Sequence, residues 1–528
     1  MTKPRIMYYH DGRHPLIYMY EPPIYKEQYE QAVDELVGTP VDAIMFCLGD
    51  GRTVLHDTQV GELWGHNVEK WKHSVFRRAG KNAKHLIEQG YDPLRIICDR
   101  AHEYGIQVYA TLLVNQVSGE RGEDMRGSDF RFDNKHLDIG AGGDLDPEFA
   151  GANCADFKHE EIRAERLELI EETLNKYPLD GLELQMNYTP FYFHPNEVVQ
   201  GRPIMTEWIS QVYEAVKRSG AERELAICLP ACIQDSLDAG LDPQEWIEQD
   251  IVDVLIGDNY GCTAHLYPEA DLRPLVEAAK GSQCRVYASM LSTVDTDRMA
   301  EGPIESIRGT ACNYWAQGID GLYLTQWFIR NWPYDGTFYE KMREVAYPQI
   351  MAPKDKSYAV PSLRGGVYDL RASPHVPISL PVDLEEDEPV VIEFTISDDL
   401  ERWAEQDRVH EVLLRLRLSE ASEMDRLRFV LNGRELPETL LRKINQTYIM
   451  AAPRYRATGY WYIFKLDRDH WPAPGKNTLE VTLLKRDQEV VECIVLRDIE
   501  LDTKYLMGKN FHRSYVDPDL GPYEASTT

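Results

Sequence analysis

Glu183, Gln185 and Asn187 fall at every second position of the stretch YPLDGLELQMNYTPFYFHP, residues 177–195. In an extended strand, positions two apart share a face. One carboxylate and two amides therefore stand in a row, with Tyr188 beside them. A carboxyl can hold or deliver a proton, and amides both donate and accept hydrogen bonds. A second polar group, Asp258, Asn259 and Tyr260, closes the apolar run VDVLIGDNY. Glu183 and Asp258 are the candidate catalytic residues, with acid–base or nucleophilic chemistry within their reach. His10 is a further acid–base candidate, because an unperturbed imidazole titrates at about 6.5.

Positioning these groups requires strands, and eight apolar runs supply them: 5–10, 42–49, 106–114, 180–187, 224–231, 252–260, 284–291 and 321–328. They are nearly continuous and rich in β-branched and aromatic residues, as strands covered on both faces are. Helical patterns alternate with them. DPLRIICDRAHEYG opens on an Asp-Pro cap and stops at Gly105, and HEEIRAERLELIEETLNKY crowds acidic residues into its first turn. Eight alternations predict an α/β fold, a (β/α)8 TIM barrel over residues 1–350. An open doubly wound sheet would instead carry a Gly-rich turn after the first strand, and YHDGRHPLIY is not one.

Barrels of this kind place chemistry at the C-terminal ends of their strands. The polar residues expected there begin with His10 and Asp11 on the first strand and Asp50 on the second, with Arg52 and His56 beyond it. Asn115 and Gln116 follow the third strand. Glu183, Gln185, Asn187 and Tyr188 belong to the fourth, and Gln234 and Asp235 follow the fifth. Asp258, Asn259 and Tyr260 end the sixth, Ser292, Asp295 and Asp297 follow the seventh, and Thr325, Gln326 and Trp327 end the eighth. Carboxylates, amides and aromatics dominate, and lysine is absent. Such a set suits sugars, whose hydroxyls bond amides and carboxylates and whose C–H faces stack on rings. It argues against Schiff-base chemistry. The expected ligand-binding residues are His10, Asp11, Asp50, Asn115, Gln185, Asn187, Tyr188, Asn259, Tyr260, Gln326 and Trp327.

Past the barrel, residues 351–361 read as a linker. Residues 362–507 carry short alternating strands separated by turn signals such as Asn432-Gly433 and Pro474-Gly475, which predict an antiparallel β-sandwich. Residues 508–528 read as a polar tail, and no internal repeat is evident.

The chain carries 57 basic and 88 acidic residues, a net charge of −31. That excludes a nucleic acid or an anionic membrane as the expected partner, since both need a basic face. The start, MTKPRIMYYHDGRHP, lacks the apolar run of a signal peptide, and no stretch approaches the roughly 20 apolar residues of a membrane span. Nine scattered cysteines without CxxC spacing fit reduced thiols, and a cytoplasmic location is expected. No HxH or HExxH spacing appears, so neither a metal nor another cofactor is expected.

DGLELQMN resembles the chitinase-type strand signature Asp-Gly-x-Asp-x-Asp-x-Glu. DGLELQMNYTPFYF, together with HDG, GTPVDAIMF, GLDPQEWIEQDIVDVL and GIDGLYL, more closely resembles the family 10-like glycosyl hydrolase proteins of bacteria, across most of the barrel. The resemblance implies a glycosidase acting on a carbohydrate at the barrel mouth, with the sandwich as an accessory module. The sequence departs from it at two points. Gln185 stands where that group has an aspartate, and Asn187 stands at the chitinase-type acid position. An amide cannot donate a proton as a carboxylic acid does, so the fourth strand offers only Glu183 for acid–base work. The expectation is a glycoside hydrolase-like enzyme for small oligosaccharides or glycosides. A barrel that binds carbohydrate without cleaving it, and a sugar lyase or isomerase using the same pocket, are the alternatives. A homo-oligomer held through the sandwich is a further one.

Overall fold

The computed structural model describes residues 3–16, 20–146, 148–259, 266–294, 301–327, 334–362, 375, 379–446, 459–508, 516–517 and 521–522. Eight parallel strands close into a barrel: β1 (Ile6–His10), β2 (Ala43–Asp50), β3 (Gln107–Leu113), β4 (Gly181–Gln185), β5 (Glu224–Pro230), β6 (Val254–Asp258), β7 (Arg285–Met290) and β8 (Gly321–Leu324). β1 pairs with both β2 and β8, which completes the ring. Beyond β2 the sheet continues into two short strands, Thr53–Val54 and Glu62–Leu63, within the long segment after that strand.

Side-chain alternation divides the core into two concentric layers. Met7, Tyr9, Met45, Cys47, Tyr109, Leu113, Cys228, Ile256, Tyr287 and Tyr323 fill the barrel interior. Ile6, Tyr8, Ile44, Phe46, Val108, Leu182, Leu184 and Leu255 face the surrounding helices. The two helices legible from their caps run Pro93–Glu103, where the Asp92 side chain accepts from Leu94 and Arg95, and Glu160–Lys176.

One device recurs at the base of the barrel. Asp42, Asp180, Asp253 and Asp320 each immediately precede an even-numbered strand. Their carboxylates accept the backbone N–H of Ile6 (3.0 Å), Val108 (2.8 Å), Leu225 (2.7 Å) and Val286 (2.9 Å), each on the preceding odd-numbered strand. Four carboxylates thus satisfy four strand-entry donors that would otherwise lack partners. Two of these strands then begin with glycine for a steric reason. A Cβ at Gly181 would lie 2.3 Å from the Tyr109 ring, and one at Gly321 would lie 2.3 Å from the Tyr287 ring.

The second domain is a sandwich of two antiparallel sheets. One holds Lys356–Ala359, Val382–Leu384, Val409–Ser419, Leu441–Gln446, Gly459–Lys465 and Ile494–Tyr505. The other holds Pro389–Ile396, Arg426–Leu431, Arg434–Glu435 and Gly475–Lys485. Leu414, Leu416, Phe464, Leu479, Val481 and Leu501 fill the space between them. Lys356–Ala359, inside the stretch expected as a linker, pairs with Glu500–Thr503 and is itself a sandwich strand.

The two domains are joined by polar clamps. Thr395 lies on an edge strand, whose unpaired groups need covering. Its N–H donates to Glu269 (2.7 Å), and its carbonyl accepts from the Asn313 side chain (2.8 Å), both partners being barrel residues. The fully buried Lys356 ammonium donates to the carbonyls of Met351, Ala352 and Lys354 and lies 3.0 Å from Asp398. It thereby satisfies the carbonyls left open at the end of the short helix Pro348–Met351.

Candidate active site

The face bearing Glu183, Gln185 and Asn187 points into the barrel, and the polar interior rises from floor to mouth in steps. At the floor, Glu224 accepts from Tyr109 (2.6 Å) and from Arg285, and Arg285 also donates to the Tyr287 hydroxyl (2.8 Å). One step up, Glu183 pairs in register with Thr111 on β3 and Ala226 on β5. It accepts from the Thr111 hydroxyl and from the Tyr323 hydroxyl (2.8 Å). The Gln185 amide in turn donates to Tyr323 (2.8 Å).

Glu183 is 0% exposed. Burial pushes its carboxyl up from the usual 4.5 to about 7, hydrogen bonds from Thr111, Tyr323 and Gln185 pull it partly back, and the charge of Asp258 raises it. It sits two positions below Gln185 and four below Asn187, so it does not line the mouth as the sequence suggested. A carboxyl in this position holds a proton near neutrality and fixes the Tyr323–Gln185 pair.

The mouth carboxylate is Asp258, at the end of β6 and 4% exposed. The Asn187 amide donates to it across the barrel top. Asn187 is also buried, and its side-chain oxygen has no hydrogen-bond partner among the described residues. Neither has the Ser289 hydroxyl, on the inward face of β7. A buried acceptor without a donor is costly, and a ligand hydroxyl would satisfy it. Asn259 follows on the rim at 7% exposure, and Tyr188 is half-buried. Gln326 is half-buried too, at the end of β8, and adopts a left-handed backbone (φ +58°). Non-glycine residues take that conformation at a cost of roughly 1–3 kcal/mol.

Several expected ligand-binding residues have other work. His10 lies on the outer face of β1, stacked on Phe46 at 5.2 Å, and accepts the Gly12 N–H (3.1 Å). Burial drops its pKa to about 4, with Asp11 opposing and His14 reinforcing the fall, so it is no acid–base group near neutrality. Asp50 accepts from Arg13 (3.3 Å), Trp64 (3.1 Å) and Gln116, which ties the loop after β2 to its neighbours. Asn115 clamps two loops: it donates to the carbonyls of Ala155 (2.9 Å) and Phe191 (2.6 Å) and accepts from Ala155 (3.1 Å). Trp327 is 2% exposed, and its indole N–H donates to Met290 (2.8 Å), so it packs as core and offers no open platform. Asp11 accepts from the backbone of Arg13 and His14, a local turn, and remains partly exposed. Tyr260, Asp295 and Asp297 lie outside the described residues.

The sequence reading passed over Thr111, Tyr323, Ser289 and Arg13. The first three share the inward parity of Glu183, Thr111 on the adjacent β3 and the other two on β7 and β8, and that parity was the available signal. Arg13 bridges Asp11 (3.7 Å) and Asp50 (3.3 Å), a pairing that only the closed barrel creates. Among the described residues no cluster of three or more His, Cys, Asp or Glu is placed to hold a metal ion, and no helix is long and apolar enough to cross a membrane.

No family model matches the chain, and no curated protein matches it. Solved structures that resemble it include alpha-L-fucosidase isoenzyme 2 from Paenibacillus thiaminolyticus, with 12% identity and a TM-score of 0.43 over 66% of this chain and 50% of that one. A beta-galactosidase from the psychrophilic Marinomonas ef1 has 9% identity and a TM-score of 0.40 over 65% and 59%. An alpha-L-fucosidase from Vibrio sp. strain EJY3 has 10% identity and a TM-score of 0.36 over 94% and 96%. The chain thus spans only 50% and 59% of the length of the first two.

Proposed function

We propose that the barrel mouth is a carbohydrate site and that the chain is a glycoside hydrolase-like enzyme acting on small oligosaccharides or glycosides, with Asp258 as its catalytic carboxylate. The observation that carries this reading is the buried Asn187–Asp258 contact at the strand ends, whose amide oxygen still lacks a donor. A sugar hydroxyl placed between Asn187 and Ser289 fills that need and sets the ring against Asp258. The resemblance of the fourth strand to family 10-like proteins points the same way. In hydrolysis Asp258 would either give a proton to the glycosidic oxygen as the C–O bond breaks, or take one from the water that attacks the anomeric carbon. Glu183 is then a positioning residue that acts through Tyr323 and Gln185.

One observation favours a second reading, binding without cleavage. With Glu183 sealed beneath Gln185, the fourth strand presents only amides to the mouth, whereas glycoside hydrolysis ordinarily uses two carboxyls. Mass spectrometry of a pooled oligosaccharide and glycoside library, incubated with the wild type and with Asp258→Asn, separates the readings. Products heavier by one water in sum, lost in the variant, are expected. Products lacking that water would replace hydrolysis by elimination. A glycan retained but unchanged would establish the binder.

A further inference from the structure

A cleft of about 640 Å³ lies between the barrel and the sandwich, within the roughly 300–1,000 Å³ usual for ligand sites. It starts where the mouth ends. Ala231 and Asn259 line it, and they are the residues immediately after Pro230 and Asp258, which pair in register on β5 and β6. The Ala231 N–H donates to the Asp258 carbonyl at 2.9 Å. From there Gln234 and Tyr267 continue one wall on the barrel side. Glu393, Thr395 and Lys476 form the facing wall on the sandwich. Glu393 and Thr395 alternate with Ile392, Phe394 and Ile396, which point into the sandwich core, so the polar face of this edge strand is the one turned to the barrel.

The arginine and the lysine of the cleft are already paired within it. Arg273 lies 3.1 Å from Asp271, and Lys476 lies 2.8 Å from Glu393. With Glu269, Asp271 and Glu393 against Arg273 and Lys476, no cation is left in excess to draw a phosphate. What remains is amide, hydroxyl and carboxyl groups interleaved with Ile233, Pro274, Val360 and Pro361. Burial pushes Glu269 up to about 7, against hydrogen bonding from Thr395 and the charge of Lys476, with Glu393 raising it further. Near neutrality its carboxyl can therefore both donate and accept. Donors and acceptors set among small apolar surfaces, with no unpaired arginine or lysine, match a neutral polyhydroxylated chain.

We infer that the cleft is an extension of the mouth site, taking the continuation of a neutral oligosaccharide whose first ring stands at Asp258, so that the sandwich is part of the binding site. This rests on the carbohydrate reading of the mouth and narrows it to chains longer than one sugar.

The test is native mass spectrometry of binding to a panel of neutral oligosaccharides, graded from one to six residues and of several linkages. It is run on the wild type and, to prevent turnover, on Asp258→Asn. Longer chains should bind at least about tenfold more tightly than single sugars. Gln234→Trp, which fills the cleft from the barrel side, should collapse that ratio toward one. Lys476→Ala, which unpairs Glu393 and leaves a smaller side chain, should reduce it severalfold and keeps the test alive if the tryptophan variant does not fold. A length advantage that survives both substitutions, or no length advantage at all, would overturn the inference while leaving the mouth reading intact. Failure of every oligosaccharide to bind would overturn both.

Discussion

Two carboxylates one step apart inside the same barrel have opposite surroundings. Glu224, at the floor, meets the guanidinium of Arg285 and the hydroxyl of Tyr109. Glu183, above it, meets only neutral hydroxyls and an amide, and is fully buried. The floor carboxylate faces a guanidinium at salt-bridge distance, whereas Glu183 receives hydrogen bonds without a paired charge. The floor is therefore an ionic plug and the middle layer a proton-holding one. The third carboxylate, Asp258, ends β6 at the mouth, where we propose that the ligand sits. Strand parity alone would have treated all three alike.

The largest expected effect separates the mouth from the layers below. Asp258→Asn should lower kcat by roughly 10²–10⁴ with little change in melting temperature, as steady-state kinetics and calorimetry on one preparation would reveal. Breaking the floor should do the reverse. Glu224→Gln leaves Arg285 buried without its anion and should cost about 3 kcal/mol in urea unfolding.

The middle layer should differ from the floor in its pH dependence. Glu183 titrates at about 7 when folded, above its ordinary 4.5. Between those values the folded chain keeps a proton that the unfolded chain has lost, so stability falls as pH rises from about 4.5 to 7 and levels off above. The full cost is about 3 kcal/mol. Glu183→Gln titrates nowhere in that range. Its stability curve, followed by urea midpoints from pH 4 to 9, should lack this decline and should meet or exceed the wild type above pH 7. A smaller effect is expected at the mouth. Asn187→Ala should cost about tenfold in kcat/KM, because it frees the Asp258 carboxylate from its amide. Asn187→Asp should instead move the acidic limb of the rate profile upward, since two neighbouring carboxyls resist double ionisation.

Most of the architecture was legible in the chain. All eight predicted barrel strands overlap observed ones, because strands buried on both faces read as continuous apolar runs. The inward row of β4 was legible from period 2 alone. What failed were placements at the mouth made from a position at a strand end without regard to parity or to nearby loops. His10 is expected at the mouth as the end of the first strand, yet odd positions of β1 face inward and His10 faces Phe46. Asp50 lies beyond a register shift between Cys47 and Asp50 in the β2–β3 pairing. Its three partners come from Arg13, Trp64 and Gln116, which no local pattern connects. Asn115 is absorbed by two loops that approach it only in the closed barrel. The four aspartates at the barrel base escaped notice as a repeat because only one residue of each segment is shared and the spacing between them is irregular.

The central claim is the division of labour between Asp258 and Glu183, and kcat/KM of Asp258→Asn and Glu183→Gln on the first oligosaccharide found to be turned over tests it most directly. The account predicts that Asp258→Asn loses at least about a hundredfold, while Glu183→Gln stays within about tenfold of the wild type at pH 6. If Glu183→Gln were as inactive as Asp258→Asn while remaining folded, Glu183 would itself take part in the chemistry, and the layering drawn here would be contradicted.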